Sequence, residues 1–329
     1  MGHRMTERDA IVLAAVLGAV VLVMVLIVCR PFTWGSETEV AVTGGAANAS
    51  GAGVSGQAVA GDNVSGTAVM AGGGEIMNEA GTTLQTRVNP PEGYQRVKEK
   101  KGSLGRFLRE YKLKKAGAKV KLYNGRNKKN QDAHVAVFKL PLEKEDLQQC
   151  ADSVIRVYAE YFWKTGQYDK ISFQFANGFQ AEYMKWREGF RIQVAQRTSW
   201  INGGRYDDSY DNFKRYLRMV FAYSSTLSLD RESEKVKVAD IKTGDIFIKG
   251  GSPGHVVMVV DVCENEEGKK AFLLGQGYTP AQQFQLLKNP AHEDDPWYYA
   301  DEIRYPLETP EYRFNKGTLK RPGYIKSGS

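Results

Sequence analysis

Hydrophobic and polar positions divide the chain into an apolar run, a stretch of small polar residues and a long region of mixed periodicity. Residues 10–29 contain no charged side chain over twenty positions. At about 1.5 Å of rise per residue, a helix of this length spans the roughly 30 Å hydrocarbon core of a bilayer. The run is longer than the apolar region of a cleaved signal peptide, so we expect a transmembrane signal anchor. Cleavage followed by lipidation at Cys29 is the open alternative.

Positive charges are distributed unequally around the apolar run. Arg4 and Arg8 precede it, whereas after Arg30 no lysine or arginine occurs before Arg87. The positive-inside rule therefore predicts that residues 1–9 are cytoplasmic and that everything after Arg30 lies outside the cell membrane.

Small and polar residues dominate the stretch that follows the run. Residues 36–82 consist mostly of Gly, Ala, Val, Ser, Thr and Asn, with almost no large apolar side chains. Such a sequence cannot bury enough apolar area to offset the entropy of ordering its backbone. We expect residues 30–87 to be a flexible linker that carries a folded domain away from its membrane.

Helix and strand periodicity extends from residue 88 to residue 325. Apolar residues spaced as on one face of a helix predict helices over 102–113, 143–163, 180–189 and 208–224. Alternating apolar residues predict two strands within 118–140, a strand pair over 244–262, and further strands over 170–179, 190–194 and 270–284. The tail from Asn289 is expected to wrap the surface. Early helices and late antiparallel strands indicate an extracytoplasmic α+β domain with helices packed on one sheet.

Positive charge is concentrated at the start of the predicted domain. Residues 87–129 contain fifteen lysines and arginines against only Glu92, Glu99 and Glu110. Such a segment predicts contact with an anionic surface, namely lipid headgroups or wall polymer. A merely solvated face is the alternative. Nucleic acid is not expected as a partner outside the membrane.

The cysteines form neither a disulfide framework nor a metal-binding pattern. Cys29 lies in the apolar run, which leaves Cys150 and Cys263 in the predicted domain. These two can form one bridge or remain free thiols, one of them reactive. Residues 292–295 (HEDD) place one histidine beside three acids, but adjacent side chains in a proline-flanked loop diverge. We therefore expect neither a metal nor another cofactor.

A cysteine, a histidine and a glutamine occur in an order that suits nucleophilic catalysis. Cys150 lies on a predicted helix, His255 follows a glycine-rich turn, and Gln276 lies at the end of the next strand. A thiol needs a neighbouring base, and a third polar group holds the imidazole in one tautomer. The alternative for Cys150 is an inert core position, because it shares the apolar stripe of its helix. The turn itself needs glycine and proline but does not require a histidine.

The stretch IKTGDIFIKGGSPGHVVMVVDV (241–262) resembles the second half of cell-wall peptidases of the NlpC/P60 type. In those proteins a Gly-Asp strand leads through a loop to a Gly-His-Val strand. The resemblance implies a papain-like core in which Asp245 is structural and His255 is the catalytic base. It also implies that Cys150 is the nucleophile, although the usual Asp-Cys-Ser context is Gln-Cys-Ala here. Gln276 falls where a third polar residue is expected.

Five short motifs are spread over the whole domain. They are DLQQCAD (146–152), NGF (177–179), GGSPGH (250–255), PAQ (280–282) and TPE (309–311). Together they resemble domain-of-unknown-function family 4846, a bacterial family, over residues 88–322. Asn177, Gly254 and Gln282 belong to these motifs and are expected to support the site. The usual TNGF and AQSYMPAQ read ANGF and GQGYTPAQ here, which preserves Gln276. This family implies no activity.

Two functions are compatible with these residues. The first is a membrane-anchored, outward-facing cysteine hydrolase that cleaves amide bonds of cell-wall peptide, with Cys150 as nucleophile and His255 as base. Gln276 then orients the imidazole or helps to stabilise the oxyanion. The second is a non-catalytic module of similar fold, whose cleft binds a wall or envelope component. The separation of the Cys150 sulfur from the His255 ring discriminates between them.

Overall fold

A large antiparallel sheet organises residues 75–328, the part of the chain that this computed structural model describes. The strands are β1 (Tyr94–Arg96), β2 (His134–Val137), β3 (Ser172–Gln174), β4 (Gln180–Glu182), β5 (Phe190–Val194), β6 (Thr198–Asn202), β7 (Ser233–Lys235), β8 (Ile246–Lys249), β9 (His255–Asn265), β10 (Lys270–Gln276), β11 (Gln285–Leu287), β12 (Tyr298–Tyr299), β13 (Leu307–Glu308), β14 (Arg313–Phe314) and β15 (Leu319–Pro322).

Nine of these strands form the main sheet. Its order is β2-β11-β10-β9-β8-β15-β7, and β1 and β12 pair with β9 and β10 respectively. The pairs β3-β4, β5-β6 and β13-β14 form separate two-stranded ladders. The sheet is therefore built around the β8-β9 hairpin, which brings the strand that begins with His255 to its centre.

Six helices lie in the described part of the chain. They are α1 (Leu84–Arg87), α2 (Leu104–Arg109), α3 (Cys150–Lys164), α4 (Tyr183–Arg187), α5 (Tyr210–Tyr223) and α6 (Thr226–Arg231), with short 3-10 turns at Tyr168–Lys170, Val238–Asp240 and Gly323–Gly328. Helices and an antiparallel sheet in one unit confirm the predicted α+β class. No helix within residues 75–328 is long and apolar enough to cross a membrane. The predicted cytoplasmic segment 1–9, the predicted span 10–29 and the linker as far as residue 74 lie outside the described residues.

The two faces of the sheet are covered by different parts of the chain. Val256 and Met258 of β9 belong to the larger core, together with Val154 and Tyr158 of α3. The intervening Val257 belongs to a second core built with tail residues from β13, β14 and β15, which are Leu307, Phe314 and Leu319. We had expected the tail only to wrap the surface, but it has a larger structural role. It covers one face of the sheet and contributes β12 and β15 to it.

Two predicted helices form where their apolar periodicity indicated. Ser103 accepts a hydrogen bond from the Arg106 N–H at 3.2 Å and starts α2, as the predicted cap. Helix α5 occupies most of the predicted 208–224 and buries Phe213, Leu217 and Val220 on one face. The predicted helix over 180–189 is shorter, because its first residues pair with β3 as strand β4 before α4 begins.

Other boundaries differ from the sequence-based prediction. Within 118–140, only β2 forms a strand, and the expected first strand is reduced to two isolated bridges, from Lys121 to Asn127 and from Leu122 to Gln282. The folded region also begins upstream of residue 88. Leu84 is fully buried, and the Arg87 guanidinium donates hydrogen bonds to the Gly81 carbonyl oxygen, Nε at 2.9 Å and Nη2 at 2.5 Å. Residues 75–87 are therefore part of the domain.

Part of the basic segment faces inward. Arg109 is buried and donates to one oxygen of Asp261 at 2.7 Å, while Arg96 donates to the other oxygen at 2.6 Å. Lys128 is also buried and pairs with Glu311. These residues are structural ion-pair partners, so the positive surface of the segment is smaller than its composition suggests.

Candidate functional site

Cys150 is the first residue of α3. The apolar periodicity had predicted a helix that begins at residue 143 and contains Cys150 in its interior. The Asp152 carboxyl group accepts a hydrogen bond from the Gln149 N–H at 3.1 Å, which fixes the start of the helix at this point. The first amides of a helix lack carbonyl partners, and the helix dipole favours negative charge beside them. This is a position that suits a thiol that must become a thiolate.

The sulfur of Cys150 lies beside the first residues of β9. The Val259 N–H donates to the carbonyl oxygen of Asp245, the residue before β8, at 2.8 Å. Because amide directions alternate along a strand, the Val256 N–H points to the opposite side, toward β10. Strand β10 ends at Gln276, and the Val256 N–H instead lies near the Cys150 thiol, whose pKa it lowers. The thiol thus contacts the strand one residue away from His255.

A chain of polar side chains fixes the imidazole of His255. Its Nε2 lies 2.8 Å from Oε1 of Gln276, and Nε2 of Gln276 donates to Glu311 at 2.7 Å. Lys128 pairs with the same Glu311 oxygen. A carboxylate only accepts hydrogen bonds, so the amide nitrogen of Gln276 faces Glu311 and its oxygen faces the imidazole. Nε2 of His255 therefore carries the proton, and Nδ1 is the unprotonated nitrogen that can accept one.

Aromatic rings enclose the imidazole. The ring centroids of Tyr278 and Tyr312 both lie 4.9 Å from that of His255, and Phe314 stacks at 6.0 Å. His255 is only 2% exposed. Burial lowers its pKa to about 4, although the hydrogen bond to Gln276 opposes this shift, and nearby Lys128 adds to it. The imidazole is therefore neutral at pH 7.

The thiol of Cys150 is also neutral in this state. Burial raises its pKa to about 11, and the carboxyl group of Asp152 adds to the shift, while the Val256 N–H opposes it. Within residues 75–328 no hydrogen bond joins the sulfur to the His255 ring. Contacts between a nucleophile and its base are often looser without substrate, so this geometry does not disqualify the pair.

Two loops hold the halves of the site together. The Ala281 N–H donates to Asp146 at 2.6 Å, and the Thr279 hydroxyl donates to Gln149 at 3.0 Å. Gly277 makes the closest approach, since a Cβ on it would lie 2.1 Å from Oγ of Ser153 on α3. The motifs DLQQCAD and GYTPAQ are thus in direct contact.

Two of the predicted supporting residues lie directly before the two strands of the β8-β9 hairpin, Asp245 before β8 and Gly254 before β9. The Asp245 carboxylate accepts from the Arg321 guanidinium at 2.7 and 2.8 Å and from the Lys242 N–H at 2.8 Å, at the end of β8 away from His255. Gly254 precedes His255, and a Cβ there would lie 2.3 Å from the Gly251 carbonyl oxygen. Asp245 therefore braces the sheet, whereas Gly254 permits the tight turn that positions the imidazole.

The other two supporting residues lie outside the polar chain. Asn177 donates to Thr198 at 2.7 Å and accepts from the Phe179 N–H, so it shapes the turn between β3 and β4. Gln282 is buried, and its amide nitrogen has no hydrogen-bond partner among the described residues. Neither residue contacts His255 through a hydrogen bond in residues 75–328.

The structure adds four residues that sequence reasoning had not assigned to the site: Lys128, Glu311, Tyr278 and Tyr312. Glu311 was visible as part of the TPE motif, but nothing in that motif indicated its contact with Gln276. Lys128 had been counted with the surface charges.

The remaining chemical candidates have simple surroundings. Cys150 and Cys263 are both free thiols, so the alternative of a bridge between them is not realised. His292 bonds Glu302 at 2.6 Å. Among residues 75–328 no cluster of three or more His, Cys, Asp or Glu side chains could hold a metal ion.

The sheet, the helix that begins with a cysteine and the imidazole–amide pair define an α+β domain with a candidate cysteine–histidine site. The chain belongs to the family described as Domain of unknown function (4846), whose model matches residues 84–321. This confirms the family predicted from the short motifs. No curated protein and no solved structure matches the chain.

Proposed function

We propose that the protein is a membrane-anchored, extracytoplasmic cysteine hydrolase with an NlpC/P60-like, papain-like core that cleaves amide bonds of cell-wall peptide. The observation that carries the proposal is the hydrogen-bond chain from Glu311 through Gln276 to His255. It leaves Nδ1 as the proton acceptor of the imidazole. The start of α3, with Cys150 as its first residue, contacts the same strand end.

The neutral thiol and neutral imidazole suit general-base activation. As the Cys150 sulfur attacks the amide carbonyl carbon, its proton moves to Nδ1 of His255 and a carbon–sulfur bond forms. We expect the first backbone amides of α3 to stabilise the resulting oxyanion. The imidazolium then protonates the leaving amine and the carbon–nitrogen bond breaks. Water, activated by Nδ1, hydrolyses the thioester and restores the thiol.

The substrate class is inferred from the predicted location of the domain. The apolar run 10–29 supports an outward-facing domain on a long linker, because Arg4 and Arg8 precede the run and no lysine or arginine occurs between Arg30 and Arg87. Outside the membrane, the cell-wall peptide is a polymer within reach of such a domain, and its amide bonds can be hydrolysed. The exposed part of the basic segment supports proximity to anionic wall polymer or lipid headgroups.

The test is hydrolysis of purified cell wall and of soluble wall peptides by the full chain, with new amino and carboxyl termini identified by mass spectrometry. C150A and H255A should each lower the rate by at least about 10³-fold. C263A is the matched control, because it removes the other buried thiol of residues 75–328, and it should keep the wild-type rate. Unchanged hydrolysis in C150A, together with no alkylation of Cys150 by iodoacetamide, would exclude the proposal.

The burial of the pair favours a second candidate, a non-catalytic module that binds a wall or envelope component. Cys150 is 9% exposed and His255 2% exposed, so a substrate must displace side chains to reach them. Under this alternative the full chain binds wall fragments without releasing new termini. H255A then changes the dissociation constant or the thermal stability, but no turnover is detectable in any variant.

A further inference from the structure

A cavity of about 260 Å³ lies on the helical side of the domain, away from the candidate site. It is enclosed by α2, the C-terminal half of α3, the Ile241–Thr243 segment and the ends of β9 and β10. Tyr161, in its wall, is eleven residues after Cys150 on α3, which corresponds to about 16 Å along the helix. A ligand in this cavity therefore does not contact the thiol.

The floor of the cavity is apolar. Its walls include Leu104, Tyr161, Phe162, Val262 and Ile325. The Thr243 hydroxyl, on the same wall, is buried and has no hydrogen-bond partner among the described residues. Apolar walls with a few polar groups are typical of cavities that hold small amphiphilic molecules.

The rim of the cavity is strongly basic. Five lysines line it: Lys98, Lys100, Lys170, Lys242 and Lys270. None of them has a carboxylate oxygen within 4.0 Å in residues 75–328. Glu99 is the one acid in the lining, and it accepts a hydrogen bond from the Ser103 hydroxyl. Arg321 also lines the cavity, but Asp245 neutralises it.

Lysines without a carboxylate partner, placed around an apolar cavity, are complementary to an anionic amphiphile. An apolar chain fills the interior, and a multiply charged anionic group is held by several ammonium groups at the mouth. We propose that this cavity binds the phosphate-bearing end of a lipid, with the first part of its apolar chain inside. The site is independent of the proposed hydrolase activity.

Photocrosslinking tests the proposal on the full chain. The probe is an octyl phosphate that carries a diazirine in its chain, and labelled peptides are mapped by mass spectrometry. We expect labels on the peptides that contain Leu104, Phe162 and Ile325. Unlabelled octyl phosphate should compete, whereas inorganic phosphate alone and octyl glucoside should not. Labels spread over other surfaces, or equal competition by octyl glucoside, would overturn the proposal.

Matched lysine variants test the role of the rim. K98A/K100A/K242A should lower labelling about tenfold at low ionic strength, since each exposed charge contributes modestly and the contributions combine. K129A/K144A/K316A removes three exposed lysines outside the cavity and should leave labelling unchanged. Circular dichroism checks that both variants fold. Equal labelling of the two triple variants would refute charge-directed binding, and raising the salt should weaken labelling of the wild type.

Discussion

Burial controls the protonation of His255 more strongly than any neighbouring charge. Its pKa falls from 6.5 to about 4, mainly because the charged imidazolium is poorly solvated there. The group thus binds a proton less readily in the folded state than in the unfolded chain. Its contribution to stability is complete above about pH 6.5 and is lost as the pH falls toward 4.

The first prediction is an acid-dependent loss of stability that depends on His255. Between pH 7 and pH 4 the free energy of unfolding of the wild type should fall by about 3 kcal/mol more than that of H255Q. Denaturant unfolding at a series of pH values measures the difference. Asp152, whose pKa burial raises to about 8, acts in the opposite direction, but it is present in both proteins. Parallel pH profiles would contradict the prediction.

The Lys128–Glu311 pair carries the second prediction. Both side chains are at most 10% exposed, so removing one partner leaves a buried charge without compensation. We expect E311Q and K128M each to cost about 2–4 kcal/mol, and the double variant to cost less than the sum by 1 kcal/mol or more. A double-mutant cycle in urea measures this coupling. Additive losses would show that the pair is not coupled.

At the residue scale, the sequence predicted that certain side chains lie close together. It did not predict the hydrogen bonds that join them to the rest of the site. Both His255 and Gln276 were predicted as site residues, and Nε2 of the imidazole lies 2.8 Å from Oε1 of the amide. Glu311 was not, because its contact is with a residue thirty-five positions earlier and only the fold of the tail creates it. The helix start at Cys150 was missed because acids near residue 145 resemble a first helical turn.

Those acids have other partners. Glu143 contacts Arg156 and Arg218, and Asp146 binds the Ala281 N–H, so tertiary contacts outweigh helix propensity in this segment. The helices predicted correctly, α2 and α5, have clear serine caps and strong one-sided periodicity. The short β15 was not predicted, since four residues carry too little pattern to distinguish a strand from a loop.

Strand β9 is linked to two other elements through one carboxylate. Asp261 is fully buried and bonds Arg96 of β1 and Arg109 of α2 at 2.6 and 2.7 Å. The third prediction is that D261A costs about 3–5 kcal/mol, because two guanidinium groups lose their counterion in a buried setting. Thermal or denaturant unfolding measures the loss. E110A, which breaks the exposed Arg106–Glu110 pair, is the control and should cost less than about 1 kcal/mol.

At the scale of the whole molecule, the candidate site depends on how closely α3 approaches the end of β10. The fourth prediction concerns Gly277, where a methyl group would lie 2.1 Å from Oγ of Ser153 and 3.0 Å from the Gln149 carbonyl oxygen. G277A should lower stability by about 1–3 kcal/mol and shift Cys150 away from β9, with loss of any hydrolysis. Unfolding and iodoacetamide labelling rates report the two effects.

The control for this substitution is Gly204. The nearest atoms to a Cβ there are 3.8 and 3.9 Å away, which is ordinary van der Waals contact. G204A should therefore leave stability within about 0.5 kcal/mol of the wild type. If G277A behaved like G204A, the close approach of α3 and β10 would not be needed to position the thiol.

The position of β15 has a consequence for biosynthesis. This strand lies between β8 and β7, although both precede it by about seventy residues or more in the chain. While the protein is being synthesised, β8 therefore has an open edge until the segment 319–322 has been added to the chain. Exposed edges recruit other strands. We expect chaperones and proteases to recognise a chain that is truncated before residue 319, because its sheet is incomplete. Such a chain already contains α3 with Cys150 and β9 with His255.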